Sequence, residues 1–278
     1  MADPWTRNGD AGSRLRSRVA LVTGAGCDPD FIGIGGATAV LFATQGAKVG
    51  VVDIVPERAE ATRRMIEAAG GEAAVAIGDI TSEDDSARCV AEVADRFGRL
   101  DILVNNAAIA GATGSPAVMD LDRWNETLDL NLTAAMLAAK YAIPHLRAAG
   151  GGVILNISSI AATHGFGAGA YAASKAGLIG LTKDWAYLHG RDGIRVNCLV
   201  LGHVYAPMGG SRGDEQREQR RLAGLLGIEG TAWDVAWPAV FLASDESRWI
   251  TGVALPVDAG TTSATSLGMD WLDERFAD

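Results

Sequence analysis

The chain has 278 residues, 48% of them hydrophobic, enough to bury a full core in one large α/β domain and too apolar for a disordered tail. A formal net charge of −10, with Arg217 to Arg221 as the only basic cluster and that one interrupted by acids, argues against a nucleic-acid or anionic-membrane partner. Cys27, Cys89 and Cys198 are odd in number and far apart, so they suggest neither a disulfide framework nor a metal site, and a reduced cytoplasmic setting is the default. There is no apolar core of signal-peptide length near Met1 and no run approaching about 18 apolar residues, so the chain reads as soluble.

Residues 1 to about 16 are polar and rich in Gly, Asp and Arg, the composition of a flexible leader, and structure is expected from Arg18. Val19–Val22 is a short apolar run ending in Thr23-Gly24, as in a strand buried on both faces. The pattern recurs at Lys48–Asp53, Ala73–Ile77, Leu100–Val104, Val153–Ile157, Ile194–Val200 and Val253–Val257. Between these runs lie alanine-rich stretches with helical spacing: Ala37–Gln45, Glu57–Ala69, Asp84–Phe97, Arg123–Leu146, Ala172–His189 and Trp233–Leu242. The alternation predicts a single α/β domain over residues 17–263, a doubly wound parallel sheet of about seven strands with helices on both faces.

In such a sheet ligands sit beyond the carboxyl ends of the strands, so the first strand-to-helix turn is where chemistry is expected. It reads Thr23-Gly24-Ala-Gly26, then Gly33-Ile34-Gly35-Gly36 after a short insertion. Glycines let the backbone approach a pyrophosphate, and the following helix offers free N–H groups and a positive dipole end. Asp53 closes the second strand 18 residues beyond Gly35. A carboxylate there accepts hydrogen bonds from both ribose hydroxyls and repels a 2′-phosphate, and Gly36 offers no cation to such a phosphate, so NAD(H) is expected over NADP(H).

The second chemical stretch runs from Ser159 to Lys175. On a helix, Tyr171 and Lys175 are four positions apart and project from one face. A free phenol titrates near 10, but a cation within about 4–6 Å favours the phenolate, so Lys175 is expected to lower the Tyr171 pKa. Leu155–Ser159 reads as a buried strand ending in two hydroxyls placed to hold a carbonyl oxygen beside the phenol.

Together these residues resemble the single-domain short-chain dehydrogenase/reductases, over about Arg18 to Gly260. The resemblance is carried by the Thr-Gly turn, Asn105-Asn106-Ala107 after strand four, Asn131 opening a long helix, a serine ahead of Tyr171-x-x-Ser174-Lys175, and Ile194-Arg-Val-Asn197 entering strand six. It implies a Rossmann-like fold with a catalytic set Asn131, Ser159, Tyr171 and Lys175. It further implies a cofactor site at Gly24, Gly26, Gly33, Ile34, Gly35, Asp53, Ile54, Asp79, Ile80, Asn106, Ala107, Ala108, Tyr171, Lys175, Gly202 and Val204. The implied reaction interconverts a secondary alcohol and a ketone. Tyr171 moves the proton while the nicotinamide exchanges hydride with the same carbon, Ser159 holds the substrate oxygen, and Asn131 steadies a proton-relay water. Family spacing alone lands the serine on Ser158, but the local Ser-Ser-Ile-Ala-Ala pattern favours Ser159, and period-two alternation lets only one of the two reach the substrate.

Departures from the family pattern mark positions to watch. The first turn carries five extra residues, Cys27 to Phe31, whose Asp28 and Asp30 are expected to point outward. Ala108 replaces a usual Gly, Leu201 a usual Pro, and Ala206 a Thr that often binds the nicotinamide amide, with His203 or Tyr205 as compensating groups. Ala110–Ser115, Ala161–Phe166 and Val204 to about Trp233 are the candidate pocket lining, with His164 and His203 at its border. The last stretch reads as a lid with a short amphipathic helix, apolar at Leu222, Leu225 and Leu226. With no fixed arginine expected in it, a neutral and fairly hydrophobic substrate is favoured. The tail Met269–Phe276 is amphipathic and either docks on a neighbouring subunit or frays. The resemblance implies a homo-oligomer, dimer or tetramer, with helices from Asn131 and Tyr171 pairing across a two-fold axis. Two other readings remain: another reductase or epimerase on this fold, or an NAD-binding sensor that has lost catalysis.

Overall fold

The computed structural model describes residues 13–28, 31–209 and 213–264. Strands β1 (Val19–Thr23), β2 (Lys48–Asp53), β3 (Glu72–Ile77), β4 (Ile102–Asn105), β5 (Gly152–Ser159) and β6 (Ile194–Leu201) follow one another with helices between them. A short ribbon of β7 (Val204–Tyr205) and β8 (Gly230–Thr231) comes next, then β9 (Ala254–Val257). The sheet runs β3-β2-β1-β4-β5-β6-β9, with every ladder parallel. Strand order reverses between β1 and β4, which opens a crevice at their carboxyl ends.

The helices are α1 (Ile34–Thr44), α2 (Pro56–Ala68), α3 (Glu83–Phe97), α4 (Leu121–Leu128), α5 (Ala134–Ala148), α6 (Gly169–His189), α7 (Asp214–Leu222) and α8 (Ala232–Ala243). Alternation along the strands splits the core into two layers. Ala20, Val22, Val49, Val51, Val104 and Leu155 face α1, α2 and α8. Val19, Leu21, Leu103, Ile154 and Val196 face α3, α5 and α6. Strands whose side chains are buried on both faces read as unbroken apolar runs, which is why β1, β4 and β6 were visible as such. α1 is apolar around its circumference and buried from Gly35 to Ala43, as a helix enclosed by both the sheet and α8 must be.

Two expectations need correction. The leader is not loose up to residue 16: Leu15 is fully buried and its N–H donates to the Gln45 carbonyl at 2.9 Å, so packed chain begins before Arg18. A lone apolar residue in a polar run gives no periodic signal. The single helix expected over Arg123–Leu146 is α4 and α5 joined by a π-turn at Asp129–Thr133, and Asn131 lies inside that turn rather than opening a helix. The tail Met269–Phe276 and Asp30 fall outside the described residues.

Candidate active site

The crevice is built first from the turn after β1. Gly24 takes φ +60°, and a Cβ there would lie 2.7 Å from Ala107 Cα, so only glycine allows this approach. At Gly35 a Cβ would sit 2.3 Å from the Gly24 carbonyl oxygen and 2.4 Å from Asn106 Nδ2. The turn is therefore clamped against the loop after β4. Asn106 Nδ2 donates to the carbonyls of Thr23 (3.0 Å) and Gly24 (2.9 Å). Thr23 Oγ accepts from the N–H groups of Asn106 (3.1 Å) and Ala107 (3.3 Å) while donating to Val104 O at 3.3 Å. Asp53 closes the far end: its carboxylate accepts the Gly26 N–H at 2.9 Å and the Val55 N–H at 3.0 Å, one bond to each oxygen. Asp53 lines the cleft.

The opposite wall comes from β5 and α6. Alternation along β5 sends its two terminal hydroxyls in different directions. Ser158 is buried, its Oγ donating to the Lys175 carbonyl at 2.8 Å, which ties β5 to α6. Ser159 is half-buried beside the Tyr171 phenol, whose pKa it lowers, and its Oγ accepts the Ala161 N–H at 3.2 Å. Lys175 is buried, donates from Nζ to Ile157 O at 2.8 Å, and lies 5.5 Å from the Tyr171 ring centroid. Beneath them a buried chain, Asn105 Nδ2 to Asn156 Oδ1 (2.8 Å) and Asn156 Nδ2 to Thr182 Oγ (2.9 Å), fixes α6 against β4 and β5. Asn131 Oδ1 accepts the Ile109 N–H (2.8 Å), and its Nδ2 donates to Ile109 O (2.9 Å) and to Ser174 Oγ (3.2 Å). The π-turn turns this amide inward and anchors the loop after β4.

Burial sets the protonation of the pair. It pushes the Tyr171 phenol above its ordinary value, with the Ser159 hydrogen bond pulling the other way. Burial likewise lowers Lys175 from 10.5 to about 8. The expected lowering of Tyr171 by Lys175 is thus not the net direction in this chain: enclosure of the phenol dominates, and the group that opposes it is Ser159, not Lys175.

One cleft of about 1150 Å³ joins both walls. Val204, Ala206, Pro207, Met208 and Arg220, from the stretch expected to form a lid, line one part of it. α7 is strongly charged, and Leu222, Leu225 and Leu226 are exposed rather than packed. Arg220 lines the cleft, its Nε donating to Glu229 Oε1 at 2.8 Å and its guanidinium 5.5 Å from the Tyr205 ring centroid. The lid therefore does carry a fixed arginine, which removes the ground for expecting a neutral substrate.

A family model described as "Enoyl-(Acyl carrier protein) reductase" matches residues 31–262. The chain belongs to the short-chain dehydrogenase/reductase family. It is 39% identical to (+)-borneol dehydrogenase 2 of Salvia officinalis, over 90% of this chain and 91% of that one. It is 36% identical to cis-4-hydroxycyclohexanecarboxylate dehydrogenase of Sinomonas cyclohexanicum, over 91% and 99%. Among solved structures it resembles carveol dehydrogenase from Mycobacterium avium in complex with NAD, with TM-score 0.85, 28% identity, and coverage of 91% of this chain and all of that one.

Within this dehydrogenase/reductase, every residue expected at the cofactor site, from Gly24 to Val204, lines the one cleft, as do Ser159, Tyr171 and Lys175. Asn131 stands behind its wall. Asp28 is exposed but borders the cleft rather than turning from it. Of the two compensating groups considered, His203 lines the cleft with its ring 5.6 Å from Phe166, whereas Tyr205 lies tilted against Phe31 with ring centroids 4.8 Å apart. His164 is exposed and paired with Thr163, and of Ala110–Ser115 only Ala110 reaches the cleft. Sequence reading missed Arg58, an exposed cation beside Asp53 and Gly26, and Arg220. Both sit on charged helices that look merely solvated in the sequence.

Proposed function

We propose that this short-chain dehydrogenase/reductase is an NAD(H)-dependent oxidoreductase interconverting an alicyclic secondary alcohol and its ketone, with Tyr171 as acid/base. The observation that carries the reading is the convergence of Ser159, Tyr171 and Lys175 on one wall of the cleft whose other wall is the glycine turn and Asp53. The ring alcohols named for the Salvia and Sinomonas relatives support the substrate class.

The residues present fit a dinucleotide. Gly24 and Gly35 keep the turn tight against Ala107 and Asn106, and a Cβ at Gly33 would meet nothing nearer than Pro207 at 3.8 Å, so the backbone at the start of α1 is open to a phosphate. The Asp53 carboxylate supports NAD(H) over NADP(H) by hydrogen-bonding ribose hydroxyls and repelling a 2′-phosphate. When bound, the nicotinamide supplies the hydride acceptor for oxidation and the donor for reduction.

The chain supplies the rest. In reduction the Tyr171 phenol, held protonated by burial, donates its proton to the carbonyl oxygen; in oxidation the phenolate takes the hydroxyl proton. Ser159 Oγ holds that same oxygen. Lys175 places a cation beside the phenol and favours its anion during turnover. Asn131, its amide engaged by Ile109 and Ser174, fixes the loop that forms the cleft floor and through it the site of any relay water.

In this reading the enzyme is cytoplasmic, in keeping with three free buried cysteines, and works as a dimer or tetramer that covers exposed Met136, Tyr187 and Leu188 on α5 and α6. The test is absorbance at the reduced-nicotinamide band with NAD⁺ or NADH and a panel of alicyclic and aryl alcohols and ketones. Turnover abolished by Tyr171→Phe is expected. No turnover across the panel, or full activity in Tyr171→Phe, refutes the proposal.

A further inference from the structure

We infer that Phe31, the last residue of the insertion in the first turn, is a positioning residue for the dinucleotide. It braces Tyr205 and so ties the turn that receives the pyrophosphate to the strand that starts beside the catalytic wall. This rests on the dinucleotide reading above and adds to it a residue that holds the two ends of the cofactor site in register.

Phe31 belongs firmly to the turn. Cys27 N–H donates to Arg58 O at 3.2 Å and Thr62 Oγ donates to Ala25 O at 2.7 Å, so the chain entering the insertion is tied to α2. Phe31 N–H donates to Asp28 O at 3.1 Å. A Cβ at Gly36 would lie 3.1 Å from Ile32 Cγ1 and 3.2 Å from Cys27 Cβ, so the chain on either side of the insertion is seated on α1. Phe31 stands three residues before Ile34, where α1 begins, and is thereby fixed to the helix start that offers its N–H groups to a phosphate.

Tyr205, by contrast, is placed mainly by its side chain. Among the described residues β7 and β8 form a ribbon of two residues each, outside the seven-stranded sheet. A ribbon that short has no stability of its own, so side-chain contacts set its position. The Tyr205 ring lies 4.8 Å from that of Phe31, tilted by 54°, and the guanidinium carbons of Arg217 and Arg220 lie 4.4 Å and 5.5 Å from its centroid. Both arginines are themselves held by Glu229, at 2.9 Å and 2.8 Å. α7 therefore supports this ring from the lid, and Phe31 supports it from the cofactor turn.

What the ring carries is one side of the cleft. β5 and β6 are in register at Ser159 and Leu201, and Gly202, His203 and Val204 continue from there along the cleft. Beyond Tyr205, Ala206, Pro207 and Met208 line it too, and Pro207 is the nearest neighbour of a Cβ at Gly33, at 3.8 Å. The stretch from Val204 to Met208 thus runs from the catalytic wall back to the start of α1, and Phe31 pins its middle. A wall fixed before binding spares the entropy of ordering it, so loss of the brace weakens the grip on the nicotinamide half of the cofactor.

Isothermal titration calorimetry with NADH and with ADP-ribose, which has the same pyrophosphate but no nicotinamide, tests this. Phe31→Ala should raise the NADH Kd about 5- to 10-fold, as loss of an aromatic pair does, and the ADP-ribose Kd by no more than about twofold. Phe31→Tyr, which keeps the ring, should bind both as wild type does. Tyr205→Ala should show the same selective loss, and Phe31→Ala/Tyr205→Ala no more than either single variant, because the two rings act as one contact. Phe31→Leu keeps the bulk without the ring and should give a selective loss of about threefold even if the alanine variant folds poorly. Equal weakening of the two ligands, an unchanged NADH Kd, or losses that multiply in the double variant overturns the inference while leaving the dinucleotide reading standing. Failure of wild type to bind NADH at all overturns both.

Discussion

Lys175 holds a charge where the fold resists one, and the resistance is measurable. Its ammonium is buried, with Ile157 O at 2.8 Å and no salt-bridge partner among the described residues, and its pKa falls from 10.5 to about 8. Between these two values the unfolded chain keeps a proton that the folded chain has released, so stability rises with pH through this window and is lost as pH falls through about 8. The full shift corresponds to about 3 kcal/mol, of which about 2.5 kcal/mol is recovered between pH 7 and pH 10. Lys175→Met removes the titration. Urea unfolding of wild type and variant at both pH values isolates it, because the other titrating groups and the lost bond to Ile157 cancel in the double difference. The unfolding free energy of wild type relative to the variant should increase by about 2.5 kcal/mol from pH 7 to pH 10. A difference that does not change with pH would mean that the ammonium is solvated or paired, and would refute both the burial argument and the cost assigned to this cation. The same variant should lose turnover, since the cation beside the phenol goes with it.

Other outcomes follow from the same geometry. Ser159→Ala should lower kcat about 100-fold by removing the hydroxyl beside Tyr171. Ser158→Ala should instead cost about 1 kcal/mol of stability by freeing the Lys175 carbonyl, with a far smaller kinetic loss; the reverse ranking in initial rates moves the assignment to Ser158. Asp53→Ser should raise kcat/KM with NADPH relative to NADH, since Arg58 then faces a 2′-phosphate without an opposing carboxylate, and an unchanged ratio contradicts the placement of the ribose there. Asn131→Ala leaves the Ile109 N–H and carbonyl without their partner, at about 2 kcal/mol, so the melting temperature should fall by about 4–8 °C.

Much of the site could be read from the chain because its signals are local. Gly24 and Gly35 stand where a turn must pass close to another backbone, Asp53 ends an apolar run, and Tyr171 and Lys175 are one helical turn apart. The π-turn around Asn131 escaped because no residue type announces an extra residue in a helical turn. What Asn131 bonds, Ile109 and Ser174, depends on which way that turn faces. Arg220 escaped for another reason. In the sequence it belongs to a polar helix, and it becomes part of a cleft only because the β7–β8 ribbon folds Glu229 back beneath it.

The amino-acid order by itself therefore determined the seven parallel strands, their two buried faces and the spacing of Tyr171 and Lys175. These follow from the directions in which neighbouring Cβ atoms leave a strand or helix. Tertiary structure alone decided the protonation balance of Tyr171 and Lys175, the different partners of Ser158 and Ser159, and the presence of Arg220 on the cleft. Each of these depends on how much water is excluded and on which group lies opposite, and segments far apart in the chain set both.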